Sequence, residues 1–362
     1  MSSKDKKAPA SELHPIATGL VCPIPKSDYD KVLMAHGGGG TLSHQLIHKM
    51  FFNHFNNELL ETEHDGAVFS FGNQRIAFTT DSYVVKPIFF PGGDIGELAV
   101  YGTVNDLAVC GAEPLYISVG FIIEEGFSMD ELWRIVQSMK NAADRAAVKI
   151  VTGDTKVVDR GKGDKIYINT SGVGLISPGV DISSSKIQPG DKIIISGKIA
   201  EHGIAILSAR EEFDFETTVK SDTAPLNHLI KNVLEKYPDI HMMRDPTRGG
   251  VSSVLNEIAK KSNLGISIRE TEIPVAQDIR AICEILGLDP LYIANEGKVI
   301  MFVPAEQADS VLQILQSDPL GEHAAIIGEV VDQHPARVVM KTTIGSNRIV
   351  DMLSGEQLPR IC

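Results

Sequence analysis

Apolar positions along this 362-residue chain fall into two periods, and the points where the period changes mark its elements. Around Gly72-Asn73, residues 66–71 and 75–80 alternate apolar and polar, which predicts a β-hairpin. From Ile95 the period becomes helical, with Leu98, Ala99, Gly102, Leu107 and Ala108 on a small-residue helix that ends before Gly111-Ala112-Glu113-Pro114. Leu115 to Phe121 reads as a buried strand. Ser128-Met129-Asp130-Glu131 has the capping-box spacing, so a helix runs from there to about Ala147. Strands follow at 150–158 and 165–174. A second set begins after Gln188-Pro189-Gly190-Asp191: strands near 192–196, 265–268, 299–303, 326–331 and 338–341, with helices near 204–211, 226–234, 254–261, 275–286 and 306–315. Strands and helices mix without the strict helix-after-strand alternation of a doubly wound sheet, so the fold class is α+β.

The punctuation of these elements gives the domains. Residues 1–30 are polar and carry Pro9, Pro15, Pro23 and Pro25, as expected of a loosely ordered leader. Residues 31–182 form one expected unit and 183–345, opening at Ser183-Ser184-Ser185, a second. Residues 346–362 are expected to be a mobile tail ending in Cys362.

Composition narrows the partners. A formal charge of -13 and a pI near 5.3 argue against nucleic acid or an anionic membrane surface as the main partner. No run of about eighteen apolar residues predicts a membrane span. The four cysteines, Cys22, Cys110, Cys283 and Cys362, are widely spaced, which fits a reducing cytoplasm better than a disulfide framework.

Several stretches carry chemistry. Placing Asn73 at the hairpin midpoint sets Asp65 opposite Asp81, and facing carboxylates call for a divalent cation unless both simply end strands in solvent. Asn105 and Asp106 interrupt an apolar helix where propensity does not favour them, making Asp106 a further site carboxylate. Gly37-Gly38-Gly39-Gly40 before a helix admits main-chain approach to phosphate, or serves as a hinge. His44 and His48 have the i, i+4 spacing of zinc-protease helices, but Gln45 stands where the catalytic glutamate would be, so a zinc site is not expected there. Asp245-Pro246-Thr247-Arg248-Gly249-Gly250 puts a carboxylate and a cation ahead of a helix, which suits an anion or an ordinary charged turn. Cys362, at the extreme end, is an accessible nucleophile on a tail that from Asp351 reaches roughly 40 Å when extended.

Taken together, Thr79-Thr80-Asp81, Val104-Asn105-Asp106-Leu107-Ala108-Val109-Cys110-Gly111-Ala112-Glu113-Pro114, Thr152-Gly153-Asp154-Thr155 and Asp245-Pro246-Thr247-Arg248-Gly249-Gly250 resemble the ATP-binding superfamily of aminoimidazole ribonucleotide synthetase and selenophosphate synthetase. With Pro359-Arg360-Ile361-Cys362 closing the chain, the resemblance is to its carbamoyl-dehydratase branch, which serves nickel-iron hydrogenase maturation, and it spans about residue 30 to the end. It implies two mixed α/β-sandwich-like domains and a homodimer whose N-terminal sheets join, with ATP bound near that interface. Asp65, Asp81, Asp106 and Asp245 would gather Mg2+ and polyphosphate. Gly37, Gly38, Gly39 and Gly40 would cover the nucleotide, with Asn105, Asp154, Thr155 and Arg248 also beside it. A partner, HypF, would load a carbamoyl group onto Cys362. ATP-dependent dehydration would turn that thiocarbamate into a thiocyanate, with Glu296 as the expected base and Lys156 polarising phosphate or substrate, and the cyanide would pass to a HypC–HypD complex. Two other readings share these residues: a synthetase or kinase acting on a free small molecule, and a non-enzymatic module gated by nucleotide.

Overall fold

The computed structural model describes residues 29–210 and 217–354. After the glycine run, helix α1 (Thr41–Leu46) passes through a π-helical turn (Ile47–Phe52) into α2 (Asn53–Phe55). The first sheet domain holds β1 (Ala67–Phe71), β2 (Gln74–Tyr83), a short ribbon of β3 (Phe89–Phe90) and β4 (Gly93–Asp94), α3 (Ile95–Val109), β5 (Ala112–Glu124), α4 (Met129–Arg145), β6 (Lys149–Val158) and β7 (Ile166–Ile176). Its main sheet has the order β1-β2-β7-β5-β6, antiparallel except for the parallel β5–β6 pair that α4 connects.

The second domain contains β8 (Lys192–Ile195), α5 (Glu201–Ser208), α6 (Asn227–Leu234), β9 (Met242–Arg244), α7 (Gly250–Ser262), β10 (Gly265–Arg269), α8 (Gln277–Leu286), β11 (Ile300–Val303), α9 (Ala308–Gln316), β12 (Ala325–Val331), β13 (Val338–Lys341) and β14 (Asn347–Val350). These strands make one sheet in the order β14-β13-β10-β12-β8-β11-β9. The chain is thus α+β with two mixed-sheet domains, as the periodicity predicts. Among the described residues no helix is long and apolar enough to cross a membrane.

Helix α3 organises the molecule. Asp94 caps it, its Oδ1 accepting from the amides of Gly96 at 2.7 Å and Glu97 at 3.1 Å. Its residues are apolar nearly all round because it is buried nearly all round: Val100, Tyr101 and Val104 pack into the first domain, while Leu107 to Cys110 join the core of the second. Helix α3 therefore contributes to two separate cores and ties the two sheets together.

The hairpin register differs from the expected one. Ala67 pairs with Phe78 and Phe71 with Gln74, so the turn is the two residues Gly72-Asn73 with Gly72 at φ 61°, rather than a turn centred on Asn73. One residue of slip exchanges the faces of a strand. Asp81 accordingly pairs with Thr170 on β7, and Asp65 lies before β1 begins.

Residues 347–353 are more firmly held than a mobile tail starting at 346 would be. Strand β14 pairs with β13, Val350 O accepts from Asn256 Nδ2 at 2.9 Å, Asp351 O from Ser252 Oγ at 2.7 Å, and Leu353 O from the amide of Thr41 at 2.9 Å. Backbone groups need partners when they leave water, and edge pairing supplies them. Cys362 and residues 1–28 lie outside the described residues.

Candidate active site

Three aspartates from distant stretches meet where α3, the start of the hairpin and the end of β9 converge. One carboxylate oxygen each from Asp65, Asp106 and Asp245 lies within 4.8 Å of the others. Thr79, on β2, bridges two of them: its Oγ1 is 2.8 Å from the carbonyl of Asp65 and 2.9 Å from Asp106 Oδ2. A hydroxyl has one proton to give, so Thr79 donates to only one of these two oxygens at a time. Arg244 Nε approaches Asp65 Oδ1 at 2.7 Å, an ion pair whose N–H is not aligned for a hydrogen bond, and Arg244 Nη2 reaches Glu257 at 3.1 Å.

Burial sets the protonation of this cluster. It pushes the Asp65 carboxyl up to about 8 although Arg244 opposes the shift, and that of Asp245 up to about 6, again against Arg244. Asp106 is raised well above the carboxylate range by burial and then by its neighbours Asp245, Asp65 and Asp81. Asp65 Oδ2 is buried and without a hydrogen-bond partner. Hard oxygen ligands, crowded and under-neutralised, suit a divalent cation of the magnesium class.

A direct test follows. Mg2+ binding near neutral pH should release protons, because the cation needs carboxylates that otherwise hold them, and affinity should rise as pH goes from about 6 to about 8. Without the cation, stability should fall as pH rises over that window, since the folded chain binds more protons there than the unfolded one. Calorimetry in two buffers of different ionisation enthalpy reads the released protons; equal heats in both would contradict the assignment.

Asp81 stands beside this trio rather than in it, with Arg248 Nη2 at 3.9 Å from its Oδ1. It shares the inward face of β2 with Thr79 and Tyr83, and its charge is felt at Asp106. The glycine run lies against the same turn. A Cβ on Gly39, whose φ is +72°, would come within 2.7 Å of Arg248 Cβ and O, and one on Gly40 within 2.4 Å of Leu353 O. Main-chain approach this close requires glycine at both positions. Ser253 Oγ closes the contact by donating to Gly39 O at 2.9 Å.

Two expectations take a different form. Asn105 is buried, with Nδ2 donating to Ala224 O at 3.0 Å and Glu296 O at 3.3 Å and Oδ1 accepting from the Leu226 amide at 2.8 Å. Its polar atoms tie α3 to two segments of the second domain. Asp154, Thr155 and Lys156 do not join the carboxylates within this chain. They lie on β6, exposed at the far edge of the sheet, where Lys156 Nζ pairs with Asp154 at 2.7 Å. Asp154 is level with Gly120, Asn169 and Ser82 on successive strands, so three strand spacings, roughly 14 Å, separate β6 from β2.

Glu296 is buried in the turn before β11, held by main-chain contacts: its amide donates to Asp222 Oδ1 at 3.1 Å, and that of Gly297 to Asp222 Oδ2 at 3.2 Å. Lys298 Nζ completes the arrangement at 3.0 Å from Asp222 and 3.4 Å from Glu201. Sequence reasoning missed Thr79 and Asp222 as parts of the site. Thr79 stands two residues before Asp81 and so on the same face, a signal the alternation contained; Asp222 lies in a loop without any.

Comparison with known proteins fits these domains. The N-terminal domain model of the AIR synthase related proteins matches residues 63–176 and the C-terminal domain model residues 188–341. That pair in tandem defines the class. Carbamoyl dehydratase HypE of Azotobacter vinelandii is 50% identical over 331 residues, 91% of this chain and 97% of that protein. The Escherichia coli K12 protein of the same name is 44% identical over 338 residues, 92% of this chain and 100% of its own length. A crystal structure of HypE in complex with ATP superposes with a TM-score of 0.77 at 49% identity, covering 92% of this chain and 100% of that one, and a HypE–HypF complex with 0.81 at 48%, covering 85% and 99%. Thiamine monophosphate kinase of Aquifex aeolicus, at 16% identity and a TM-score of 0.63 over 85% of this chain and 99% of that one, shares the fold. The chain belongs to the AIR synthase related proteins and, within them, to the HypE family, the carbamoyl dehydratases of hydrogenase maturation. It is an enzyme, which sets aside the non-enzymatic reading.

Proposed function

We infer that this chain binds ATP beside Asp65, Asp106 and Asp245 and uses it to dehydrate a carbamoyl group carried as a thiocarbamate on Cys362, leaving a protein thiocyanate as the cyanide source for a hydrogenase iron centre. The observation that carries the reading is the buried convergence of these three carboxylates below the glycine run. Bound Mg2+ would neutralise polyphosphate charge there, with the three aspartates as its protein ligands and Asp81 nearby.

The chain's own residues account for the remaining demands. A thiocarbamate oxygen is a poor leaving group until the γ-phosphoryl is transferred to it; one proton leaves nitrogen as that phosphate ester forms, and the second as phosphate departs, giving S–C≡N, ADP and inorganic phosphate. Arg248, at the mouth of the cluster, suits the anionic phosphates, and the glycine run suits close main-chain contact with them. Glu296, held by Asp222, is the proposed base for the nitrogen-bound proton.

A homodimer is part of this reading. On the face of the first sheet turned away from the helices, Phe78, Tyr116 and Ile122 stay more than two-fifths exposed. A second copy on that face would bury them and offer a route by which Asp154, Thr155 and Lys156 meet a nucleotide. HypF, as carbamoyl donor, and a HypC–HypD complex, as cyanide acceptor, are the proposed partners.

Mass measurement of the C-terminal peptide tests the chemistry. After incubation with the carbamoyl donor system, a carbamoyl adduct on Cys362 should lose the mass of one water only when ATP is present. An unmodified thiol throughout, or an adduct that ATP leaves unchanged, would sink the proposal; the latter outcome would favour a free small-molecule substrate.

A further inference from the structure

Among the described residues a second cluster of metal-ligating side chains lies close to the glycine run. His44 and His48 project from one face of the helix that follows it, their rings stacked with centroids 3.9 Å apart. The third member comes from a separate segment: Glu63, just ahead of the buried His64-Asp65 pair. One ligand atom each from His44, His48 and Glu63 lies within 4.8 Å of the others. His48 Nε2 is 3.4 Å from Glu63 Oε2. Four ligands about 2.05 Å from a tetrahedral ion are separated from one another by roughly 3.3 Å, so this edge already has the length of a zinc coordination edge. Glu63 is also oriented: Lys261 Nζ holds its Oε1 at 2.9 Å, leaving Oε2 toward the imidazoles.

Space for a fourth ligand is present. The three residues border a cavity of about 210 Å³ that Gly40, Arg244 and Glu257 also line. The sequence argued against zinc only because Gln45 cannot serve as the base of a zinc protease, and that objection concerns hydrolysis, not binding. A carboxylate 15 positions after His48 carries no spacing signal, so folding alone supplies it.

We propose that His44, His48 and Glu63 bind one first-row divalent cation of the zinc class, with two imidazoles, one carboxylate and an open fourth position facing the cavity. Two nitrogens with one oxygen prefer zinc over magnesium, so the site is chemically distinct from the all-oxygen aspartate cluster. An ion there clamps the helix after the glycine run to the segment entering Asp65. The inference stands independently of the carbamoyl chemistry.

The test uses the full-length chain, stripped with a chelator and titrated with Zn2+ against a chromophoric competitor without nucleotide. One equivalent should bind, and His48→Ala and Glu63→Gln should each weaken it at least about tenfold. The Co2+ adduct should show tetrahedral ligand-field bands without thiolate charge transfer, which separates this site from the cysteines. Both side chains are about one-third exposed, so the variants should fold, and circular dichroism verifies that. Zn2+ should raise the melting temperature of the wild type and not of the variants. No competitive equivalent, unchanged affinity in both variants, or thiolate bands in the cobalt adduct would overturn the proposal.

Discussion

Asp106→Asn will lower ATP turnover at saturating Mg2+ by roughly 10²- to 10³-fold, the usual cost of removing one preorganised charge-stabilising group from a reaction centre. Without the cation it should leave the fold intact and somewhat more stable at neutral pH. Asp106 sits in a buried cluster where Asp245, Asp65 and Asp81 all disfavour its charge. Asparagine keeps the shape and the contact to Thr79 while removing the repulsion that ionisation would bring. A functional loss with a stability gain separates a site residue from a structural one. Steady-state ATPase kinetics and a thermal melt in chelator read the two arms. Turnover within a few-fold of wild type would show that Asp106 does not serve the nucleotide, and a lowered melting temperature would show that it is structural.

Asp222→Ala will destabilise the second domain by about 3–5 kcal/mol, because it leaves the Lys298 ammonium buried with too little compensation. Burial pushes the Asp222 carboxyl up, but Lys298, then His202 and the Glu296 amide, outweigh it and hold the carboxyl below its ordinary value. That depression means stability present above the unfolded carboxyl pKa and lost as pH falls through the lower folded value. The same change frees the amides of Glu296 and Gly297, so activity should fall along with stability. Pairing it with Lys298→Met should recover much of the urea midpoint by removing the stranded charge, while activity stays low because the turn has lost its anchor. A single variant with a wild-type midpoint would refute the account.

The register of the hairpin illustrates what pattern alone can carry. Alternation places both strands and their turn, yet a midpoint on Asn73 or between Gly72 and Asn73 is a choice of one residue that the run of apolar positions leaves open. The observed pairing puts Asp81 on the inward face with Thr79 and Tyr83, and Asp65 arrives at the cluster through the segment ahead of β1. The facing pair predicted, Asp65 with Asp81, does not form; Asp65 meets Asp106 and Asp245 instead. Asn105 adds a second case: a polar residue in an apolar helix flags function or a buried tie, and the three main-chain contacts that make it a tie between α3 and the second domain are visible only in the fold.

By itself the sequence determined the α+β class, the extent of most helices and strands, the glycine run and the candidate aspartates, because period, capping and residue type are local properties. Tertiary structure decided which carboxylates meet, that Asp154 to Lys156 lie on a distant edge strand, that residues 347–353 are tied down, and that Glu63 completes a set with His44 and His48. Those outcomes rest on contacts between segments tens to hundreds of positions apart, where burial and pairing in three dimensions choose among arrangements that local patterns leave equal.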